Sequence, residues 1–170
     1  LADEGIPAML LTGDGESAAS SVAKKLGIQD FRANLLPEDK LSALQKERDG
    51  GGVVCMAGDG VNDALALSGA DAGIAMGGVG SDIAVESADA VLVSDDISRL
   101  PYLFRLVRRV MKKIQANIVM SLVINISAVV PSALGILTPI TGALWHNAGS
   151  VFVVVNAATI LRFKEKKRER

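Results

Sequence analysis

The sequence has one cysteine, one histidine, one tryptophan and one tyrosine among its 170 residues, and aromatics make up only 4% of it. A lone cysteine, Cys55, excludes an internal disulfide framework and a cysteine-based zinc site within the chain. It lies in the apolar run Val53-Val54-Cys55-Met56, so a buried, unreactive strand thiol is expected. No methionine stands at position 1, where Leu1 is, and no positively charged segment precedes an apolar stretch near the start, so the chain is expected to be the C-terminal piece of something longer. Basic residues are scarce in residues 1–100, which carry 7 against 17 acidic ones, and acidic residues are scarce in residues 101–170, which carry 2 against 11 basic ones. Two physically different halves are joined in one chain. At 49% hydrophobic, neither is a disordered tail.

In the acidic half short apolar runs alternate with helical patterns. Ala8 to Leu11 is followed by a helix from about Ser17 to Leu26, then Phe31-Arg32-Ala33, a helix after Pro37 and the run Val53 to Ala57. A helix opening near Asn62, the run Gly73 to Met76, a helix after Ser81 and the run Ala90 to Val93 complete the series. Such alternation is the sequence form of βαβ units, so this half is expected to be α/β: a partial, doubly wound parallel sheet with helices on both faces. Sheets of that kind bind their ligands at the C-terminal ends of the strands.

The basic half lacks charge where the first half has it. A helical stretch from Leu100 to Lys113 carries Arg105, Arg108, Arg109, Lys112 and Lys113, after which residues 114–137 and 138–161 hold no charged side chain at all. Each charge-free stretch exceeds the ~20 residues that cross a bilayer as a helix, so two transmembrane helices are expected, joined by a turn near Leu137 to Thr141. Basic residues flank the outer ends only, which places both ends in the cytoplasm by the positive-inside rule. The expected organisation is residues 1–99 as the α/β part, 100–113 as a basic juxtamembrane helix, 114–161 as a two-helix transmembrane hairpin and 162–170 as a basic cytoplasmic tail. Pro131 is expected to kink the first span. Asn117, Asn125, His146, Asn147 and Asn156 are costly in hydrocarbon unless they face other helices or a pathway, and His146 in particular can serve as a metal ligand or proton relay.

Three strand ends carry the chemistry. In Gly58-Asp59-Gly60-Val61-Asn62-Asp63 two carboxylates, Asp59 and Asp63, converge on one strand terminus, and hard oxygen ligands of this kind suit Mg²⁺. A helix cap would account for Asn62 or Asp63 but leaves Asp59 without a role. In Thr12-Gly13-Asp14 a hydroxyl and backbone N–H groups sit before a helix N-terminus, an anion-binding arrangement. In Leu36-Pro37-Glu38-Asp39-Lys40 a lysine stands in the first helical turn, where the helix dipole disfavours it unless an anion is near. Hydroxyl, ammonium and paired carboxylates with a divalent ion make a phosphoryl-transfer site.

These motifs, in this order and spacing, resemble the phosphorylation domain of P-type ATPases, a branch of the haloacid dehalogenase superfamily, and the resemblance covers essentially the whole chain. It implies that Thr12, with Gly13 and Asp14, contacts the phosphoryl group, Lys40 neutralises it, Asp59 holds Mg²⁺ with help from Asp63, and Asn62 supports the phosphate end. ATP is then the substrate of the full-length pump. The final spans, ending in Asn156-Ala157-Ala158-Thr159-Ile160-Leu161-Arg162, resemble the last membrane pair of the heavy-metal-transporting subgroup. That implies an integral membrane protein of the plasma membrane, whose partners are the missing N-terminal part of the same pump, the lipid bilayer and a heavy-metal ion, with no nucleic acid.

By the same resemblance the place of His146 looks like that taken by Met in copper exporters and by Asp in zinc and cadmium exporters; with Asn147 it argues for a borderline divalent ion over copper(I), with Asn125 and Asn156 as further candidate ligands. The family's nucleophile, the Asp of an Asp-Lys-Thr-Gly-Thr motif, is not in this sequence, nor are the actuator Thr-Gly-Glu and the Cys-Pro-Cys membrane motif. Leu65 replaces the family's usual proline. The chain alone is therefore expected to be inactive. A membrane-anchored, non-catalytic domain that binds phosphate or Mg²⁺ is the alternative, and a soluble phosphatase of the same superfamily would have no use for two spans.

Overall fold

The computed structural model describes residues 1–58, 61–77, 82–94 and 96–163. It divides into two compact units, Leu1–Arg99 and Leu100–Arg170.

In the first unit the alternating pattern becomes strands β1 (Met9–Leu11), β2 (Asp30–Arg32), β3 (Cys55–Gly58), β4 (Ala72–Met76) and β5 (Ala90–Leu92), interleaved with helices α1 (Glu16–Leu26), α2 (Pro37–Asp49), α3 (Ala64–Gly69) and α4 (Asp82–Glu86). All pairings are parallel, as expected where helices connect successive strands. They form two pieces rather than one sheet: β1 pairs with β2, setting Leu10 opposite Phe31, and β3-β4-β5 form the second piece, setting Ala57 opposite Ile74 and Ala75 opposite Val91. Among the described residues β1 and β3 each keep one edge without a partner strand. The core nevertheless spans both pieces, because Leu11 at the end of β1 packs against the buried cluster of Leu44, Met56, Ala66, Leu67 and Ala75.

Local chemistry explains the element ends. Gly27 closes α1 in the left-handed conformation, and its N–H bonds back to carbonyls of the last turn. Pro37 opens α2 at a position where no backbone donor is needed, and the Asp39 carboxylate accepts a hydrogen bond from the Leu36 N–H at 2.9 Å. Asp71 starts β4 by accepting from the Val54 N–H (2.9 Å) while pairing with Arg48 (3.2 Å). Asp89 does the same before β5, accepting from the Gly73 N–H at 2.8 Å. Cys55 departs from expectation. It opens β3 and is exposed, although local burial, followed by the nearby Asp89 carboxylate, raises its thiol pKa.

The second unit is a helical hairpin of α5 (Leu100–Ala133) and α6 (Pro139–Ala158), the latter continued by a short 3-10 turn, Thr159–Arg162. The basic stretch and the first span are thus one unbroken helix of 34 residues. α5 runs through Pro131 and ends two residues later. Gly135, at φ 71°, turns the chain, and Thr138 caps α6 by accepting from the Thr141 N–H. The stretches Ile97–Ala133 and Pro139–Arg162 are long and apolar enough to cross a membrane. The basic tail beyond Phe163 lies outside the described residues.

Candidate phosphoryl-transfer site and membrane seam

The loops that follow β1, β2 and β3 gather at the C-terminal ends of the strands, where a parallel sheet presents its ligand site. Thr12 extends the β1-β2 ladder by one step: its N–H bonds the Arg32 carbonyl (3.0 Å), and its carbonyl accepts from the Leu35 N–H (3.0 Å). The Thr12 hydroxyl accepts from the Asp14 N–H (3.1 Å) and donates to Asp14 Oδ2 (3.2 Å). Asn34, in the left-handed conformation at φ 56°, donates its N–H to the Asp14 carbonyl at 2.8 Å. A side chain on Gly13 would press on the Leu35 carbonyl at 3.2 Å. The Thr12-Gly13-Asp14 turn is therefore braced against the loop that leads into α2, and both Thr12 and Asp14 face solvent or lie at its edge.

Lys40 stands in the first turn of α2 with 9% of its surface exposed, and its Nζ lies 2.6 Å from Oδ1 of Asp63, itself 8% exposed. The anion demanded by a lysine at a helix start is thus the protein's own carboxylate. Gly58, the last residue of β3, permits this approach: a Cβ there would come within 2.7 Å of the Asp63 Cβ and 2.8 Å of its Oδ2. A buried charge pair is retained at the cost of desolvating both groups, and removing either partner leaves the other uncompensated. Asn62 is exposed beside Asp63. Asp59 lies outside the described residues. Of the sequence-derived set, the structure joins Lys40 to Asp63 and Thr12 to Asp14. The Lys40–Asp63 contact itself was not legible in the motifs, which assign the two residues to different partners.

In the hairpin, pairs across the helices set an antiparallel register. Lys113 Nζ donates to Asn156 Oδ1 (2.7 Å), and Asn156 Nδ2 donates to Asn117 Oδ1 (2.6 Å). A Cβ on Gly149 would meet Ile124 at 2.5 Å, and Trp145 Nε1 donates to the Ser127 hydroxyl at 3.0 Å. Extending this register puts His146 near the level of Ile126, about one residue or about 1.5 Å along the axis from Asn125. Asn156 is ten residues, or about 15 Å, from His146 on α6, so the hairpin does not bring these two candidate ligands together. Asn147 lies about 100° further around the helix than His146. At the outer end, Tyr102 stacks on Phe163 (5.6 Å between ring centroids), and Arg109 lies 5.2 Å from the same ring. The sequence offered no direct sign of the Lys113 contact, because it depends on the register of the hairpin.

Residues 1–71 match the family described as haloacid dehalogenase-like hydrolase. The manganese-exporting P-type ATPase of Mycobacterium bovis (strain ATCC BAA-935 / AF2122/97) is 46% identical over 92% of this chain and 22% of its own length. The zinc-exporting P-type ATPase of Mycobacterium marinum (strain ATCC BAA-535 / M) is 44% identical over 96% of this chain and 22% of its own length. The crystal structure of a zinc-transporting PIB-type ATPase in the E2.Pi state superposes with a TM-score of 0.87 at 37% identity, covering 95% of this chain and 26% of that one. The chain belongs to the heavy-metal P-type ATPase family. It spans about a fifth of the length of the curated relatives it matches. The α/β unit is the haloacid dehalogenase-like part of that fold, and α5-α6 form its pair of membrane-competent helices. Members of such a family use Mg²⁺ and ATP in general.

Proposed function

We propose that this chain works as the C-terminal part of an ATP-driven exporter of a divalent transition-metal ion, providing part of the phosphoryl-transfer site and the last two membrane helices. The observation that carries this reading is the buried Lys40–Asp63 pair beside the Thr12 turn, in a chain that also contributes a polar-seamed helical hairpin. Relatives 46% and 44% identical to this chain bear the names of manganese and zinc exporters.

The roles follow from position. The Thr12 hydroxyl and the N–H groups around Gly13 offer donors to phosphoryl oxygens at the sheet end, with Asp14 orienting the hydroxyl. Lys40 balances the negative charge that accumulates there, and Asp63 holds the ammonium in place. Asn62 gives an exposed amide at the phosphate end. Asp59 and Asp63 would hold Mg²⁺: Asp63 Oδ2, against Gly58, is a hard oxygen donor, and one or two carboxylates with waters and phosphate oxygens are the usual set for this ion. Bound there, the ion neutralises charge on the transferred group. The acceptor carboxylate belongs to another part of the longer pump, and the open edges of β1 and β3 can take up a further strand of it. ATP and the rest of the pump are therefore partners of this chain, with the lipid bilayer around α5 and α6, the plasma membrane as location and both ends in the cytoplasm. His146, with Asn125 near its level and Asn147 beside it, makes up this chain's share of the ion pathway, and imidazole suits zinc, manganese, cobalt or nickel better than copper(I). Asn156, bonded at the far end of the seam, supports that site from a distance.

The test is phosphorylation of the full-length pump from ATP. Asp59→Asn removes one carboxylate charge from the ion site and is expected to abolish Mg²⁺-dependent phosphoenzyme, while the isolated 170-residue chain gives none with either sequence. Near-normal phosphoenzyme in Asp59→Asn refutes the assignment.

A further inference from the structure

None of Lys113, Asn156 and Asn117 belongs to the phosphate site, and of the three only Asn156 is among the candidate ion ligands that the sequence suggests. All three side chains are partly buried between α5 and α6. The two hydrogen bonds run in one direction: the ammonium donates to the Asn156 oxygen, and the Asn156 amide donates to the Asn117 oxygen. Lysine has no acceptor, so it fixes which way the Asn156 amide points, and the bonds polarise one another along the chain. In an apolar surround such a chain has a single satisfied geometry. Rotating α6 by one position replaces Asn156 with Val155 or Ala157 and leaves an ammonium and an amide without partners.

The rest of the seam shows what that geometry fixes. On α5 Lys113, Asn117, Ile124 and Ser127 meet α6, and on α6 Trp145, Gly149 and Asn156 meet α5, both sets at the three-and-four spacing of a helix stripe. Two right-handed helices that run in opposite directions place the flank that follows the stripe along each chain on one common side. His146 follows Trp145 by one residue. Ser121 and Asn125 follow Asn117 by four and eight residues, and they line an open groove with Asn117 and Ile118. The imidazole and the Asn117-Ser121-Asn125 groove therefore share a flank only while the stripe keeps its rotation.

We propose that Lys113, acting through Asn156 and Asn117, is a positioning group that fixes the rotation of α6 on α5 and so aims His146 at the Asn125 side of the hairpin. This rests on the reading of His146 as part of the ion pathway.

The test uses the full-length pump. Asn156→Leu breaks the chain, whereas Asn156→Asp restores it, because aspartate accepts from Lys113 and from the Asn117 amide turned over. Rotation is read by disulfide formation between Ser127→Cys and Trp145→Cys in a Cys55→Ser background, and pathway function by the metal concentration that half-saturates ATPase activity. We expect Asn156→Leu and Lys113→Met to slow the crosslink several-fold and raise the half-saturating metal concentration about tenfold, with phosphorylation from inorganic phosphate kept. Asn156→Asp is expected to restore both to within about threefold of wild type. An unchanged crosslink with weakened metal response overturns the proposal, since the residues would then act on the ion directly. A slowed crosslink with unchanged metal response also overturns it, leaving only a structural contact. His146→Ala separates the two layers: if it leaves metal dependence intact, the pathway reading fails along with the positioning role, and if it impairs metal dependence while Asn156→Leu does not, only the positioning role fails.

Discussion

The two units of this chain place their apolar and polar groups in opposite ways. In Leu1–Arg99 the core side chains turn inward: Leu67 is 1% exposed and Leu44 4%, and among the described residues the charged groups lie at or near the surface except for the buried pair of Lys40 with Asp63. In the helices of the hairpin only Leu100 is buried, and Val119 and Leu122 stand 61% and 59% exposed, while the Asn117 and Asn156 amides, the Ser127 hydroxyl and the Lys113 ammonium are turned toward the partner helix. The first arrangement stabilises a fold by removing apolar surface from water. The second suits a surround as apolar as leucine, in which helix association depends on close packing and hydrogen bonds. The same side chain therefore carries different energetic weight on either side of residue 99.

The largest break in this contrast is expected at Lys40. Lys40→Met leaves Asp63 buried without its partner and is expected to cost about 3–5 kcal/mol, read by urea unfolding of the chain in detergent. The double variant Lys40→Met/Asp63→Leu is expected to recover most of that loss. Next comes the matched truncation of two leucines. Leu44→Ala in the core is expected to cost about 2–5 kcal/mol, whereas Leu122→Ala, facing the membrane, is expected to fall within about 0.5 kcal/mol of wild type. Equal costs for the two would mean that Leu122 is covered by protein. The smallest effect concerns Cys55, the chain's only thiol. Its pKa is raised, first by local burial and then by Asp89, so the neutral thiol persists to higher pH than in an unstructured peptide. Alkylation by iodoacetamide at pH 8 is expected to be slower than for the urea-unfolded chain, and the difference is expected to close as the pH rises.

Much of this was legible in the sequence because it rests on short-range patterns. The βαβ alternation, the two charge-free stretches and the strand-end motifs each follow from periodicity and composition, and α1 and α2 begin within about a residue of their sequence signals. What was not legible depends on pairing at a distance. Nothing in the run from Val53 to Ala57 tells that Cys55 faces outward or that β1 and β3 fail to meet. Lys40 signals a nearby anion through the helix dipole, but only the fold shows that Asp63, 23 residues on, provides it. Asn117, Asn125 and Asn156 look alike in a charge-free span. The antiparallel register distinguishes them, tying Asn117 and Asn156 to Lys113 and leaving Asn125 beside the level of His146. Pro131, expected to kink the first span, lies inside α5 two residues before its end, where the Ser127 carbonyl four residues earlier loses its backbone donor.

The most direct test of the account is ATP-driven uptake of radiolabelled manganese and zinc into inside-out vesicles carrying the full-length pump, measured for wild type, Lys40→Ala and His146→Ala in one series. The account predicts uptake by wild type and a loss of about a hundredfold or more in Lys40→Ala, with its phosphoenzyme lost as well. In His146→Ala it predicts lost uptake with phosphorylation from inorganic phosphate preserved. Uptake at the wild-type rate in both variants would contradict it.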